Sequence, residues 1–169
     1  MKDAQGREIK YLRVSVTDRC NLRCKYCMPN GIECVEHKDI LSFEEIRQIA
    51  VCGARLGITK IRLTGGEPLA RKGCPELIRM LKEIPGIEKI AMTTNGTLVR
   101  AILPELVEAG LDEINISLDT LDAGTFAAIT GQDLLPEVLL AIDAALAAGL
   151  KVKVNAVSMP DTDWKRLIT

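Results

Sequence analysis

Three of the six cysteines fall in one short stretch, Cys20-Asn21-Leu22-Arg23-Cys24-Lys25-Tyr26-Cys27, with the spacing Cys-x3-Cys-x2-Cys; Cys34, Cys52 and Cys74 stand singly. One loop of this kind presents three thiolates to a metal centre without help from the rest of the chain. Two metal chemistries fit. A closed zinc site needs four ligands, and the one histidine, His37, lies ten residues further on, so a zinc site is incomplete as it stands. A cubane [4Fe–4S] centre held by three thiolates leaves one iron open to bind a small molecule, whereas electron carriers ligate all four irons with cysteine. The bland alternative is three cysteines without a metal. A disulfide framework fits poorly, because a chain of 169 residues with 47% hydrophobic side chains fills a core without covalent staples.

The elements that must hold this loop can be read from hydrophobic periodicity. Residues 11–16 alternate like a strand, and the cysteine loop follows at its C-terminal end. Ser42-Phe43-Glu44-Glu45 is a capping box that opens a helix. A recurring junction then punctuates the chain: Gly57-Ile58-Thr59-Lys60-Ile61, Gly86-Ile87-Glu88-Lys89-Ile90, Gly110-Leu111-Asp112-Glu113-Ile114 and Gly149-Leu150-Lys151-Val152, in each of which a glycine closes a helix and a strand begins. This predicts strands near 11–16, 58–64, 89–94, 113–118 and 151–157, with helices near 42–56, 75–84, 97–109 and 134–148. Alternating strand and helix imply right-handed crossovers and a parallel sheet, open or curling toward a barrel.

One face of every expected strand is apolar and the other carries polar groups. Arg13 and Ser15 share a face, as do Arg62 and Thr64, Thr93 and Asn95, Asn115, Ser117 and Asp119, and Lys151, Lys153 and Asn155. With helices on the apolar face, these groups converge where an ordinary barrel is filled by Val, Ile and Leu, which implies a wet, ligand-lined cavity. The alternative is a two-layer domain whose polar sheet face meets solvent, an arrangement more usual for antiparallel strands. Arg13, Arg62 and Lys153 are three cations on that face, the partners a polyphosphate needs.

The loops after the strands carry the remaining candidates. Thr64-Gly65-Gly66-Glu67-Pro68 follows the second strand; its glycines permit close backbone approach to a ligand, and Glu67 could accept from an ammonium group. Thr93-Thr94-Asn95-Gly96 and Ser117-Leu118-Asp119 close the third and fourth strands and suit a turn or cap equally well. Cys52 and Cys74, on or beside expected helices, read as small hydrophobes.

Together, the cysteine loop with an aromatic before its last Cys and the Gly-Gly-Glu-Pro turn after the second strand resemble the radical S-adenosylmethionine enzymes. More closely, Asp18 to Pro29, Tyr11 to Thr17, Ile40 to Ile46, Ile61 to Leu69, Thr93 to Gly96 and Asn115 to Asp119 resemble the N-terminal part of the GTP 3′,8-cyclase (MoaA) family of molybdenum cofactor biosynthesis. The resemblance runs to about Asn155 and implies a partial (β/α) barrel, parallel strands with helices outside. It further implies that Cys20, Cys24 and Cys27 ligate a [4Fe–4S] cluster whose open iron is chelated by S-adenosylmethionine. Tyr26, Gly65, Gly66, Glu67 and Ser117 would bind that cofactor, and Arg13, Arg62, Thr93 and Lys153 would bind GTP, Arg13 also taking part in catalysis. The expected activity is the lyase that converts GTP to its 3′,8-cyclised nucleotide.

The resemblance also implies departures. Residues 1–157 would form the barrel core and 158–169 a truncated C-terminal segment, with the family's C-terminal domain, its second cysteine triad and its Gly-Gly tail absent. An external electron donor is implied, with a homodimer or a complementing C-terminal half as further partners. Another radical reaction, or a non-catalytic iron–sulfur or zinc module, are the alternatives. Twenty-two Lys and Arg against 23 Asp and Glu, with a net charge of −1 and 3% aromatics, argue against nucleic-acid binding. The polar segment from Met1 to Glu8 and Glu137 and Asp143 within the longest apolar run argue against export and membrane insertion, so a cytoplasmic protein is expected.

Overall fold

Each of the recurring glycines at 57, 86, 110 and 149 takes a positive φ of 79–95°, a backbone region that side chains with a Cβ avoid; those at 57, 110 and 149 directly follow a helix cap, and Gly86 lies in the turn three residues beyond one, each shortly before a strand. The punctuation read from sequence is therefore the punctuation of the fold. A computed structural model describes residues 2–27 and 35–157. Cys34, residues 158–169 and the side chain of His37 lie outside the described residues.

The elements are β1 (Tyr11–Ser15), α1 (Phe43–Arg55), β2 (Lys60–Thr64), α2 (Cys74–Lys82), β3 (Lys89–Thr94), α3 (Val99–Glu108), β4 (Glu113–Ser117), α4 (Ala123–Thr130), α5 (Leu135–Ala147) and β5 (Lys151–Asn155). Short 3-10 turns occupy His37–Asp39 and Pro68–Ala70. The expected capping box is present: Glu45 N–H donates to Ser42 Oγ at 3.1 Å and Ser42 N–H to Glu45 Oε2 at 2.7 Å. Expected strand and helix limits fall within about two residues of those observed. Helix α4 is the addition to the expected set. Its sequence, Ala-Gly-Thr-Phe-Ala-Ala-Ile-Thr, includes Gly and Thr, weak helix formers, and its one start signal is the Asp122 cap, which accepts Thr125 N–H.

All five strands are parallel, in the order β1-β2-β3-β4-β5. Sequential strands joined by crossovers of one hand place every helix on one face. That face is the core: Ile61, Leu63, Ile90, Met92, Ile114 and Ile116 are fully buried under Ile46 of α1, Leu77, Ile78 and Leu81 of α2, Leu106 of α3 and Val138 of α5. Burial of each such side chain contributes on the order of 1.5–3 kcal/mol. The opposite face has no helix over it among the described residues, and apart from Ala91 the residues of β2, β3 and β4 that point there are polar. Among the described residues, no single helix is long and apolar enough to cross a membrane.

Candidate functional site

The cysteine loop leaves the C-terminal end of β1 and is fixed by backbone bonds to distant segments. Val16 N–H donates to Thr64 O at 2.8 Å, Gly66 N–H to Thr17 O at 2.8 Å and Glu67 N–H to Arg19 O at 2.8 Å, so the strand pairing of β1 and β2 continues up to the residue before Cys20. Further along, Arg23 N–H donates to Thr130 O at 2.9 Å and Lys25 N–H to Ile129 O at 3.0 Å, docking the loop on the end of α4. Gln132 Nε2 donates to Asn21 O at 2.9 Å. Cys27 N–H closes a turn onto Cys24 O at 2.9 Å.

All three cysteines are free thiols; Cys20 and Cys24 are half-buried and Cys27 is exposed. Burial pushes Cys24 up to about 11, with the neighbouring Cys20, Asp119 and Cys27 adding to the rise, and burial likewise raises Cys20. Without metal these two thiols are protonated at neutral pH, so metal uptake must release protons. Among the described residues no three His, Cys, Asp or Glu side chains converge on one metal ion. Three thiols on one short loop match the three protein ligands of a cubane with one open iron, whereas a closed zinc site needs a fourth. The Cys20 sulfur also accepts two N–H donors, from Leu22 at 3.4 Å and from Asn95 Nδ2 at 3.8 Å, a setting that stabilises a ligating sulfur. The residues fit an iron–sulfur group.

The Gly-Gly-Glu-Pro turn lies directly against this loop. A Cβ on Gly66 would stand 2.4 Å from Arg19 O and 2.7 Å from Asp18 O; one on Gly65, whose φ is +153°, would stand 2.3 Å from Thr17 O. The close approach that the glycines permit is therefore first an approach of the chain to itself. Glu67 differs from expectation. Its side chain turns inward, is 0% exposed and accepts three donors: Leu69 N–H at 3.0 Å, Thr94 Oγ1 at 2.8 Å and Asn95 N–H at 2.7 Å. Burial raises its carboxyl above the ordinary glutamate range, and the three donors pull the other way.

On the uncovered face the strand registers set Arg13 and Arg62 side by side and Lys153 at the far edge, on β5. Arg13 is the Cα partner of Arg62, and Thr93, Asn115 and Lys153 lie in one row across β3, β4 and β5. Arg13 Nη2 donates to Thr64 Oγ1 at 3.4 Å and Arg62 Nη1 to Thr93 Oγ1 at 3.2 Å, while Arg62 Nε is buried with no hydrogen-bond partner among the described residues. The Arg62 guanidinium also stands 5.8 Å from the centre of the Tyr11 ring. Ser117 ends β4 on the same face, opposite Asn155. Nearer the N-terminal ends of the strands, Lys60 reaches across the small Ala91 to pair with Glu113, which Lys89 approaches at 3.8 Å.

The structure adds residues that the sequence alone leaves without a role. Asp119, which suits a strand-end turn by its sequence, is buried and accepts the Tyr26 hydroxyl at 2.6 Å and Val157 N–H at 2.8 Å. Asn21 and Asn95 form a polar link, Asn95 Nδ2 donating to Asn21 Oδ1 at 2.9 Å and Asn21 Nδ2 to Thr97 Oγ1 at 2.8 Å. The period-2 alternation carried past the strand ends is the available signal, since it places Asn95 and Asp119 with the polar side chains. Of the single cysteines, Cys74 is buried as expected and burial pushes its thiol up to about 12, whereas Cys52 is exposed.

A parallel half-barrel that displays a three-cysteine loop at the C-terminal end of its first strand, beside a cationic open face, defines a cofactor-binding α/β protein. Residues 14–168 match the Radical SAM superfamily, and the chain belongs to that superfamily. It is 54% identical over 162 residues to the GTP 3',8-cyclase of Thermodesulfovibrio yellowstonii, covering 94% of this chain and 50% of that protein. It is 51% identical over 159 residues to the GTP 3',8-cyclase of Erythrobacter litoralis, covering 93% and 48%. The chain thus spans about half the length of the curated relatives it matches. Among solved structures, native anSMEcpe with bound AdoMet shares the fold at a TM-score of 0.69, with 20% identity over 86% of this chain and 43% of that one. Methylornithine synthase also does so at 0.69, with 21% identity over 94% and 48%. The partial-barrel architecture expected from sequence is the one observed.

Proposed function

We propose that this chain is the cluster-binding half of a GTP 3′,8-cyclase, a lyase that converts GTP to (8S)-3′,8-cyclo-7,8-dihydroguanosine 5′-triphosphate in the first step of molybdenum cofactor biosynthesis. The observation that carries this reading is a coincidence of two independent features. Identity of 51–54% to curated cyclases extends over 93–94% of the chain, and Arg13, Arg62, Thr93 and Lys153 share the one sheet face that no described helix covers.

In this reading Cys20, Cys24 and Cys27 hold three irons of a [4Fe–4S] cluster, and Tyr26, Gly65, Gly66 and Ser117 border the S-adenosylmethionine beside it. When bound, that pair supplies one electron and the reductive C–S cleavage that starts hydrogen abstraction from the ribose. The chain's own part is binding and orientation. Arg13 and Arg62 offer planar forks to phosphate oxygens, and Lys153 offers a point charge from the far side of the face. Arg62 Nε, buried and unpartnered among the described residues, is a donor that a substrate oxygen would satisfy. Glu67 acts from beneath, holding the Gly-Gly turn through its backbone partners. A complementing C-terminal half would cover the open face and exclude water. An external donor would supply the electron, and the setting would be cytoplasmic.

Anaerobic reconstitution tests the reading: iron and zinc are measured, then 5′-deoxyadenosine formed with dithionite, with and without GTP. Iron uptake and GTP-responsive cleavage are expected, with direct GTP binding weakened in Arg13→Ala and Lys153→Ala while iron content is kept. Zinc without iron overturns the cluster assignment. Cleavage indifferent to GTP points to another radical reaction, and unchanged GTP affinity in both variants removes the substrate assignment.

A further inference from the structure

We propose that Asp119 is a positioning residue: through the Tyr26 hydroxyl it holds the end of the cysteine loop in the conformation that presents Cys24 and Cys27. The inference rests on the reading of that loop as a cluster ligand, and its first readout needs no cluster.

The loop is anchored unevenly. Its middle is held by backbone bonds to Thr130 and Ile129, and its start by the continued pairing of β1 with β2. The segment Tyr26–Cys27 has no such strand or helix partner among the described residues. It is tied down by the local turn of Cys27 onto Cys24 and by the Tyr26 hydroxyl, which donates to Asp119 Oδ2 at 2.6 Å across 93 residues of sequence. That is the length of a charge-assisted O–H···O⁻ bond, the stronger kind. Asp119 is itself anchored. It follows β4 closely, is buried, and its other oxygen accepts Val157 N–H at 2.8 Å from the chain leaving β5. One carboxylate thus joins the loop after the first strand to the segment after the fifth.

The residue type supports this role. What an ionised carboxylate supplies is two acceptors and no donor, which orients the Tyr26 O–H and the Val157 N–H without ambiguity.

Asp119→Ala, Asp119→Asn and Tyr26→Phe test it. In metal-free protein, Asp119→Ala and Tyr26→Phe are expected to raise amide hydrogen exchange at residues 25–27 by about tenfold, leaving α1 to α3 unchanged. After anaerobic reconstitution both variants should lose iron to a chelator several-fold faster than the parent. Asp119→Asn should lie between the parent and Asp119→Ala, because its amide oxygen can keep Val157 while its NH2 can reach the Tyr26 oxygen only as a donor. The double variant Tyr26→Phe with Asp119→Ala should be no worse than Asp119→Ala. Tyr26→Phe keeps Asp119 and its bond to Val157, so it decides the matter even where Asp119→Ala fails to fold. Parent-like exchange in Tyr26→Phe, or Asp119→Asn as defective as Asp119→Ala, overturns the proposal. A parent protein that takes up no iron defeats the cluster reading, and the exchange result still decides whether the latch exists.

Discussion

The carboxylate of Glu67 accepts the backbone N–H of Asn95 at 2.7 Å and so bolts the turn after β2 to the turn after β3. From Asn95 the connection continues outward, since its side-chain amide donates to Asn21 Oδ1 at 2.9 Å and to the Cys20 sulfur at 3.8 Å. A buried acid in the turn after β2 thereby supports the first cysteine. Its second oxygen carries Leu69 N–H and Thr94 Oγ1, so both oxygens are engaged within the protein.

Replacing Glu67 by Gln should therefore destabilise the fold although size and shape are kept. A carboxamide has one acceptor oxygen, and its NH2 must face either the Asn95 N–H or the Leu69 N–H, leaving a buried donor unsatisfied. The expected loss is about 1–3 kcal/mol, read as a lower urea midpoint at neutral pH with an unchanged slope. A midpoint equal to the parent's would mean that the three hydrogen bonds are not what holds the turn.

Gly66→Ala probes the same junction from the other side. The added Cβ meets the carbonyl oxygens of Arg19 and Asp18 at 2.4 and 2.7 Å, which are backbone atoms unable to swing away. Relief requires moving the segment that delivers Cys20, so a loss of about 1–3 kcal/mol should come with poorer iron retention. Gly53→Ala is the control: in α1 its Cβ would reach Ile58 Cγ1 at an ordinary 3.4 Å, and thermal unfolding should be unchanged or slightly higher. Equal melting temperatures for Gly66→Ala and the parent would show that the two segments are not in contact.

These contacts mark the limit of what residues in order can reveal. Strand positions are legible because apolar alternation and helix-closing glycines act over a few residues; β3 begins at Lys89 and ends at Thr94 as expected. The polar face is legible for the same reason, since alternation sends Arg13, Arg62 and Lys153 to one side. The pairs Tyr26–Asp119 and Asn21–Thr97 join residues 93 and 76 positions apart, and no local pattern encodes them. Helix α4 escapes because its role is tertiary, its last carbonyls accepting the N–H groups of the cysteine loop. The inward turn of Glu67 is equally hidden, because nothing in Gly-Gly-Glu-Pro distinguishes a carboxylate facing a ligand from one turned into the protein.

The pairing of Lys60 with Glu113 makes an acid-range prediction whose sign is fixed. The Lys60 ammonium, helped by the charges of Lys151 and Lys89, holds the Glu113 carboxyl below its ordinary 4.5, against the opposing effect of burial. A carboxyl that is more acidic folded than unfolded stabilises the fold fully above the unfolded value, and that stabilisation is lost as pH falls through the folded value. The stability gap between the parent and Glu113→Gln, measured by urea unfolding, should accordingly be level from about pH 7 to about pH 5.5 and narrow below about 4.5. Taking the difference removes Glu67, whose raised carboxyl is common to both proteins and shifts stability in the opposite direction. Lys60→Met should remove most of the same pH-dependent component, because it deletes the hydrogen-bonded cation. A gap that stays constant or widens on acidification would show that Glu113 is held by packing and not by its cations.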